Sequence, residues 1–486
     1  MLFNSFSYLF FLGIAVSIIW LCPQKKRVYL MGMASVLFYS MWRWEFVFLV
    51  IFSAIVDFWA AGRIARSNNG LSRKILLGLS LGINLGLLVF FKYTYFLCDN
   101  LSLLPGLWGG SPSWDGWKTF HIVLPLGISF YTFQTISYTI DAYRGSGKTT
   151  DDFLVFLTYV SFWPQLVAGP ILRASEMIPQ LEKPGSISLS DAASGIQRVV
   201  IGLFKKVVIA DNLAGIVDAS FSRYFTHFTA IDVWVVAILF GFQIYLDFSG
   251  YSDIAIGSAR LAGVRIPENF NWPYMALSPR EFWQRWHISL SSWIRDYLYL
   301  PLTGQQFKAR SSGGLGMAVS DETSRRTWAL FLTWLMMGLW HGAAWKFAVW
   351  GVHHACFVYI FRRLPILQAL PERRPILAWL ITFLVCMAGW IPFRAESFDQ
   401  MLAMYAKILN PFLYDLSHRA VYGPHYFRAF LLTVAFIGIH RISRWDFERR
   451  FGSYLPEGGR LVVIAIMSAA ILIYLKPVEQ FIYFQF

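Results

Sequence analysis

The sequence predicts an all-α, polytopic membrane protein with about 10 to 12 membrane-spanning helices. The first observation is composition: of 486 residues, 56% are hydrophobic and 14% are charged, whereas soluble domains carry about 25% charged residues. The second is that the apolar residues form runs close to about 18 residues, the length that crosses a bilayer. The third is that the basic residues cluster in the short segments between these runs.

The candidate spans fall into two groups. The more continuous apolar runs are 6–22, 46–62, 75–91, 328–345, 376–391 and 461–475. The less regular ones are 28–42, 122–140, 153–167, 199–219, 233–246 and 429–439. Between residues 121 and 300 the runs are broken by Pro, Gly and polar residues, which membrane proteins tolerate only inside the protein or beside a wet cavity. We therefore expect the middle of the chain to surround a cavity.

The positive charge indicates orientation in the membrane. The chain has 42 Lys and Arg against 28 Asp and Glu, a net charge of +14. The basic residues occupy short loops at 23–27, 63–74, 307–326, 361–375 and 440–452, and short basic loops mark the cytoplasmic side. Loops 23–27 and 63–74 can both lie inside only if the N-terminus and segment 92–120 lie outside. We therefore expect membrane lipid to surround the protein, and we predict no nucleic-acid partner.

One membrane domain is predicted for residues 1–486. Within it, residues 1–120 are assigned to peripheral N-terminal spans, 121–360 to a catalytic core and 361–486 to C-terminal spans. No convincing repeat with a period of about 20 to 50 residues is present, so a solenoid is excluded. No polar linker is long enough to separate soluble domains.

His341 is the first candidate for chemistry. It lies in the apolar segment LMMGLWHGAAWKF, 335–347, and an ionisable residue inside a span costs about 2.5 to 3.5 kcal/mol. On one continuous helix, Met337 and Trp345 would share its face. A general base and a histidine that makes one structural hydrogen bond are both consistent with these residues. No Cys or carboxylate lies three or four positions away, so no metal site is predicted.

His287 is the second candidate. We predict a helix that is capped by Ser278 and carries a Glu281–Arg285 pair. The predicted faces are Trp283, His287 and Ile294 on one side, and Arg285, Ser289 and Ser292 on another. With Arg280 and Arg295 added, such a helix suits the membrane interface, or a phosphate-bearing ligand such as a coenzyme.

Two carboxylates, Asp247 and Asp253, lie in the apolar segment LDFSGYSDIAIG, 246–257. A break at Ser249–Gly250 could fold them together as an acid–base pair, whereas helix capping is the simpler interpretation. No G-x-S-x-G, Walker A or H-E-x-x-H pattern occurs, so the usual support for a hydrolase, an ATPase or a zinc protease is missing.

Seven segments, in order along most of the chain, resemble the membrane-bound O-acyltransferase family. They are LPLGISFYTFQTISYTIDAYRG (124–145), FWPQLVAGPILR (162–173), GLFKKVVIADNLA (202–214), YLDFSGYSDIAIG (245–257), EFWQRWHISLSSWIRDYLYLPL (281–302), MGLWHGAAW (337–345) and WIPFRAES (390–397). The resemblance is closest to the alginate O-acetyltransferase branch of the family.

The resemblance implies a ring of tilted helices around a thin centre, with a cytoplasmic and an external cavity joined by a tunnel. It implies transfer of an acetyl group from cytoplasmic acetyl-CoA to an extracytoplasmic hydroxyl, for O-acetylation of an alginate-like or other exopolysaccharide. A separate extracytoplasmic polysaccharide O-acetyltransferase is the implied partner, and the bacterial inner membrane the implied location. No permanently bound cofactor is expected, because acetyl-CoA is a substrate.

Roles for individual residues follow from this resemblance. His341 corresponds to the active-site histidine and His287 to the second histidine. Further substrate or donor contacts are expected at Trp340, Trp345, Arg285, Arg295, Asp247 and Ser289, and room for the tunnel at Gly338, Gly342 and Ala343. Two alternatives remain: transfer of another acyl group, such as D-alanine from a carrier protein to a wall polymer, and a transporter without chemistry. Transporters often contain inverted repeats, and no two-fold similarity is seen here.

Overall fold

The computed structural model describes residues 3–102, 121–223, 225–304, 307–309, 315–317, 323–415, 417, 420–443 and 457–475. This part of the chain is almost entirely helical, which confirms the predicted all-α class. Residues 103–120, half of the predicted loop at 307–326 and most of the basic segment 440–452 lie outside the described residues.

The helices follow one another with short connections. The N-terminal helices are α1 (Phe6–Leu21), α2 (Arg27–Ser40), α3 (Glu45–Arg66), α4 (Gly70–Leu88) and α5 (Thr94–Ser102). The middle helices are α6 (Ile128–Arg144), α7 (Phe153–Ser161), α8 (Trp163–Leu166), α9 (Ala174–Glu182), α10 (Leu189–Leu203), α11 (Asp211–Arg223), α12 (Ala230–Leu261), α13 (Pro279–Arg285), α14 (Ile288–Ile294), α15 (Leu300–Leu302) and α16 (Thr323–His341). The C-terminal helices are α17 (Trp345–Arg363), α18 (Pro365–Gln368), α19 (Leu370–Arg373), α20 (Pro375–Gly389), α21 (Ile391–Arg394), α22 (Phe398–Leu409), α23 (Gly423–Ser443) and α24 (Glu457–Tyr474).

Shorter elements connect these helices. Three π-helical segments extend or join them, at Val89–Tyr93, Phe204–Ala210 and Arg295–Tyr299. Turns of 3-10 helix occur at Gln24–Lys26, Phe225–His227, Pro273–Met275 and Pro411–Leu413. Strands β1 (Phe307–Ala309) and β2 (Leu315–Met317) pair antiparallel, with Lys308 opposite Gly316. Because π-helical turns are often found at functional sites, the segment at 89–93 is followed further below.

Four helical stretches within the described residues are long and apolar enough to cross a membrane: Glu45–Arg66, Gly70–Ser102, Ala230–Leu261 and Pro375–Arg394. Two shorter apolar helices, Phe6–Leu21 and Leu461–Tyr474, accompany them. Large apolar side chains such as Ile376 and Ile473 are exposed on the outer surface, as expected for a protein whose solvent there is lipid. The chain is therefore a multi-pass membrane protein, while the figure of about 10 to 12 crossings remains a prediction.

Glycines bring α10 and α12 into backbone contact. A Cβ atom added at Gly202 of α10 would lie 2.5 Å from the carbonyl oxygen of Gly250 in α12. One added at Gly257 would lie 2.6 Å from the carbonyl oxygen of Gly195, one heptad away on both helices. Small residues allow this close approach between membrane helices, where van der Waals contact is a main source of association energy.

Alanine at position 202 is expected to destabilise the protein by about 1 to 3 kcal/mol, because its methyl group has to push the backbone of α12 away. Thermal unfolding of the detergent-purified variants measures the effect. Gly13→Ala in α1 is the matched control, since a Cβ at Gly13 would meet no atom within 4 Å. Equal melting temperatures for Gly202→Ala and Gly13→Ala would contradict the assigned contact.

The two carboxylates of α12 lie in the interior of one uninterrupted helix. Helix α12 continues through Ser249–Gly250, so neither the predicted break nor the predicted helix capping occurs. Instead, Asp247 pairs with Lys206 at 2.7 Å and Asp253 pairs with Arg198 at 2.6 Å. Buried charges require such partners, and these pairs join α12 to α10 and the π-helical segment that follows it. The local pattern was ambiguous because the cations come from a distant part of the chain.

Candidate active site

His341 is the last residue of α16, and Trp345 is the first residue of α17. The predicted continuous helix, with His341 and Trp345 on one face, is therefore wrong. The chain turns at Gly342, where a Cβ atom would lie 2.1 Å from the ring of Phe347, so the turn favours glycine. Trp345 is 56% exposed, and its indole N–H donates to the Asn100 side chain at 3.0 Å.

The imidazole of His341 lies among aromatic rings. Its side chain is 5% exposed, and its ring centroid lies 4.8 Å from Trp350, 5.0 Å from Phe393 and 4.9 Å from Trp340. These neighbours come from α16, α17 and α21. In such an apolar environment, electrostatic interactions are stronger than in water.

Two glycines hold α17 against α16 beside this ring. A Cβ at Gly338 would lie 2.2 Å from the carbonyl oxygen of Phe347, and one at Gly351 would lie 2.2 Å from that of Trp334. We expected Gly338 to make room for a tunnel, but the structure uses it for contact between helix backbones. The close approach fixes the position of the turn that follows His341.

Residues of the N-terminal helices also contact the C-terminal end of α16. The π-helical segment Val89–Tyr93 brings the Lys92 ammonium to the carbonyl oxygens of Trp340 and His341, the latter at 3.2 Å. The hydroxyl of Tyr93 donates to the Leu339 carbonyl at 2.9 Å. The last carbonyls of a helix have no partner inside it and carry partial negative charge, so a cation stabilises this end. Sequence reasoning missed Lys92, although a lysine next to a predicted span was a usable signal.

Helix α13 begins as predicted. The Ser278 hydroxyl accepts a hydrogen bond from the Glu281 N–H at 3.2 Å. The Glu281 carboxylate accepts one from the Leu277 N–H at 2.7 Å and pairs with Arg285 at 2.6 Å. Arg285 is therefore engaged within its own helix.

The helix does not continue through His287. Helix α13 ends at Arg285, α14 begins at Ile288, and His287 between them has φ +42°, in the left-handed region. The predicted shared face of Trp283, His287 and Ile294 is therefore wrong. A non-glycine residue with positive φ is uncommon, and such strain is concentrated at functional sites. The apolar periodicity did not reveal the break, because Trp286 in the turn is itself buried.

Asn269 orients the His287 ring. Its side-chain oxygen accepts hydrogen bonds from the Ser289 backbone N–H at 3.2 Å and the Ser289 hydroxyl at 2.8 Å, and lies 3.1 Å from His287 Nδ1. A backbone N–H can only donate, so this amide atom is the oxygen, and Nδ1 must carry the hydrogen. The opposite nitrogen, Nε2, is then an acceptor in the neutral ring. It is buried and has no hydrogen-bond partner among the described residues.

Aromatic rings connect the two histidines. The Phe130 ring of α6 lies 6.4 Å from His287 and 6.0 Å from Trp340, whose ring lies 4.9 Å from His341. Phe133, one turn further along α6, stacks on Trp340 at 5.2 Å. Phe130 and Trp340 thus link the two histidines through consecutive ring contacts.

The same aromatic cluster extends to His354 in α17. Its Nδ1 accepts a hydrogen bond from the Trp283 indole at 3.4 Å, and its ring lies 4.9 Å from Trp350. Trp350 therefore contacts both His341 and His354. Because an indole N–H only donates, the neutral His354 ring carries its hydrogen on Nε2.

The predicted site residues divide into two groups. His341, His287, Trp340 and Ser289 belong to one connected cluster. The others have separate partners: Trp345 with Asn100, Arg285 with Glu281, Arg295 with Asp296, and Asp247 with Lys206. Asn269 was missed, because nothing near it in the sequence indicates that its side chain meets His287.

Asn269→Leu is expected to lower the turnover number by about 10- to 100-fold, because the hydrogen bond that sets the His287 tautomer is lost. Asn269→Asp keeps acceptor oxygens at that position and is expected to retain more activity than Asn269→Leu. The turnover number and melting temperature are measured for both variants. A fall in activity that follows the loss of folded protein in both would contradict the positioning role.

Comparisons with known proteins identify the family. The sequence model of the membrane-bound O-acyltransferase family matches residues 148–393, which include both histidines. The chain is 39% identical over 412 residues to the probable alginate O-acetylase of Azotobacter vinelandii, covering 84% of this chain and 78% of that protein. It is 34% identical to the peptidoglycan O-acetyltransferase of Helicobacter pylori (78% and 73% covered), and 30% identical to the teichoic acid D-alanyltransferase of Bacillus subtilis (57% and 70% covered). The chain belongs to the membrane-bound O-acyltransferase family and is an O-acyltransferase.

Proposed function

We propose that this enzyme transfers an acetyl group from cytoplasmic acetyl-CoA to a hydroxyl on the extracytoplasmic side, for O-acetylation of an exopolysaccharide. The observation that carries the proposal is the pair of buried histidines, His341 and His287, which are linked by the ring contacts of Trp340 and Phe130. The similarity to alginate and peptidoglycan O-acetyltransferases supports a polymer as the final acceptor. A transporter is not retained, because the family consists of enzymes.

His341 is the general base of the proposed reaction. Its neutral imidazole takes the proton of the acceptor hydroxyl while the hydroxyl oxygen attacks the thioester carbonyl carbon. The new C–O bond forms, the C–S bond breaks, and the proton passes from the imidazolium to the departing thiolate. General-base catalysis contributes about 10² to 10⁴ in rate, and the remaining acceleration comes from positioning of the two substrates.

His287 orients the acceptor in this proposal. The reacting hydroxyl gives its single hydrogen to His341, so His287 Nε2, which is an acceptor because Asn269 holds the hydrogen on Nδ1, accepts a hydrogen bond from a neighbouring hydroxyl of the acceptor. Ser289 stabilises the same arrangement through Asn269. The two histidines then act on the same bound acceptor, so removal of either lowers the rate.

The proposed orientation places basic loops on the cytoplasmic side and the N-terminus outside, in a bacterial inner membrane. Arg73, in the first turn of α4 and in the basic segment 63–74, donates to the Tyr143 carbonyl near the end of α6, so this basic segment and the end of α6 lie at the same end of the molecule. Arg325 lies at the start of α16 and His341 at its end. His341 therefore lies towards the outer side, where a separate extracytoplasmic O-acetyltransferase would pass the acetyl group to the polymer.

A second donor is supported by one observation. The chain is 30% identical to a teichoic acid D-alanyltransferase, over 57% of its length. D-alanine on a carrier protein is therefore the alternative acyl group. The higher identity and longer coverage of the O-acetylase relatives favour acetyl.

The test supplies nanodisc-embedded protein with labelled acetyl-CoA or with D-alanyl carrier protein, each with a soluble hydroxyl acceptor. Labelled ester is expected from acetyl-CoA only, and the His341→Gln protein provides the background. Transfer from the carrier protein alone would overturn the acetyl assignment. Label in the His341→Gln sample equal to wild type would overturn the proposed role of the histidine.

A further inference from the structure

Lys92 places a positive charge in an apolar part of the chain. It lies in the π-helical segment Val89–Tyr93, inside the helical stretch Gly70–Ser102 that is apolar enough to cross a membrane. Its described contacts are the carbonyl oxygens of Trp340 and His341, the latter at 3.2 Å, and the Trp340 ring at 5.7 Å. No carboxylate is among these described contacts. A charged residue within a span costs about 2.5 to 3.5 kcal/mol and is a candidate for function.

The contact with the end of α16 does not by itself require this charge. The last carbonyl groups of a helix need hydrogen-bond donors, and a neutral donor satisfies them. The next residue in the chain does so, since the uncharged Tyr93 hydroxyl donates to the Leu339 carbonyl at 2.9 Å. Charges inside a protein are usually paired with an opposite charge. The positive charge of Lys92 therefore indicates a second role.

The reaction at His341 takes place at the negative end of a helix. His341 is the last residue of α16, and the C-terminal end of a helix carries about −0.5 of an elementary charge. When a hydroxyl oxygen attacks a thioester, the carbonyl oxygen becomes negatively charged, and a bare helix end opposes that charge. The full positive charge of Lys92 exceeds the partial charge of the helix, so this end becomes positive by roughly half a charge.

The described rings around the His341 imidazole, those of Trp340, Trp350 and Phe393, carry no charge. In such a site, one donor directed at the developing oxyanion is worth about 10² to 10³ in kcat, because the donor is already oriented and water is excluded. An ammonium group has three N–H groups, and the two carbonyl oxygens take two of them. The third N–H of Lys92 can therefore donate to an oxygen of the substrate.

We propose that Lys92 stabilises the negative charge on the thioester carbonyl oxygen during acyl transfer, through its charge and its third N–H. The hydroxyl oxygen forms the new C–O bond, the electron pair of the C=O bond moves to the carbonyl oxygen, and His341 takes the hydroxyl proton. The C=O bond then forms again, the C–S bond breaks, and the thiolate takes the proton from the imidazolium. Lys92 neither gives nor takes a proton. This inference rests on the proposed reaction with a thioester donor.

Lys92→Gln removes the charge but keeps two N–H groups for the carbonyls of Trp340 and His341. In nanodiscs with acetyl-CoA and a soluble hydroxyl acceptor, this variant is expected to lower kcat by about 10² to 10³, with little change in KM or melting temperature. Lys92→Arg keeps the charge and is expected to lose less than about 10-fold. Lys407→Gln is the matched control, because the Lys407 ammonium on α22 donates to three backbone carbonyls, at 2.7 to 2.8 Å, and contacts neither histidine among the described residues.

A second measurement examines the thioester carbonyl without turnover. Infrared difference spectra of bound acetyl-CoA with an isotope-labelled carbonyl carbon, recorded without acceptor, report the strength of the C=O bond. A positive charge and an N–H donor at the oxygen weaken this bond, so the band is expected at lower frequency in wild type than in Lys92→Gln. Lys407→Gln is expected to give the wild-type band.

Equal losses of kcat in Lys92→Gln and Lys407→Gln, or a loss that follows the melting temperature, would show that Lys92 only supports the fold. Lys92→Arg as slow as Lys92→Gln would show that the charge has no role, and an unchanged carbonyl band would show that Lys92 does not act on this oxygen. Each of these results overturns the proposal. Wild type without a bound acetyl-CoA band and without ester would instead contradict the proposed acetyl donor. The same variants are then compared with D-alanyl carrier protein, which is also a thioester.

Discussion

Replacing His341 with glutamine is expected to lower the rate of acetyl transfer by about 10² to 10⁴, while the protein remains folded. The glutamine side chain has a similar size and can form a hydrogen bond, but it cannot take a proton at neutral pH. Because the backbone of residue 341 is held by Lys92, the position of the side chain is expected to persist. The loss is therefore expected in kcat rather than in the affinity for acetyl-CoA.

The measurement is the acetyl ester content of the secreted polymer at matched expression, together with the turnover of purified protein. His121→Gln is the control, since His121 is exposed and lies before α6. Ester content at the wild-type level in the His341→Gln strain would contradict the assignment of His341 as the base. A loss in both variants would point to an effect on expression.

The second large effect is expected at His287. His287→Asn is expected to lower turnover by at least about 100-fold with a melting temperature close to that of wild type. Asparagine is among the non-glycine residues that best tolerate the left-handed conformation, whereas alanine at φ +42° would add strain of its own. The asparagine variant therefore removes the imidazole with the least disturbance of the turn.

Comparison of His287→Asn, His341→Gln and the double variant tests whether the two histidines act together. If both act on the same bound acceptor, the double variant is expected to be little worse than the more damaging single change, because effects within one catalytic unit are not additive. A double variant whose loss equals the product of the single losses would indicate independent roles. Full activity in His287→Asn would remove His287 from the reaction.

The residues with the clearest local signals can be predicted from the sequence. Ionisable side chains in apolar segments stand out, and His341 and His287 are recognisable as candidates for that reason. The start of α13 is also predictable, because a cap and an ion pair involve residues three and four apart. Such features depend on neighbours in the chain.

Features that depend on distant residues could not be predicted. Lys92 contacts the carbonyl of His341, 249 residues further along the chain, and although Lys92 itself stands out beside a span, nothing in the sequence pairs it with His341. The apolar pattern of residues 279–294 continues through the break, since burial of Trp286 preserves it. Asp247 and Asp253 were misread for the same reason: their partners, Lys206 and Arg198, lie on another element.

The glycine contacts between α16 and α17 have a mechanical consequence. With the Phe347 carbonyl against Gly338 and the Trp334 carbonyl against Gly351, neither helix can slide along the other without a backbone collision. The two helices therefore form one rigid unit. His341 lies at the end of this unit, and Lys92 also holds that end. Because His341 is fixed in this way, both substrates have to reach it. Any motion during turnover is therefore expected in other segments, along the paths by which the substrates enter.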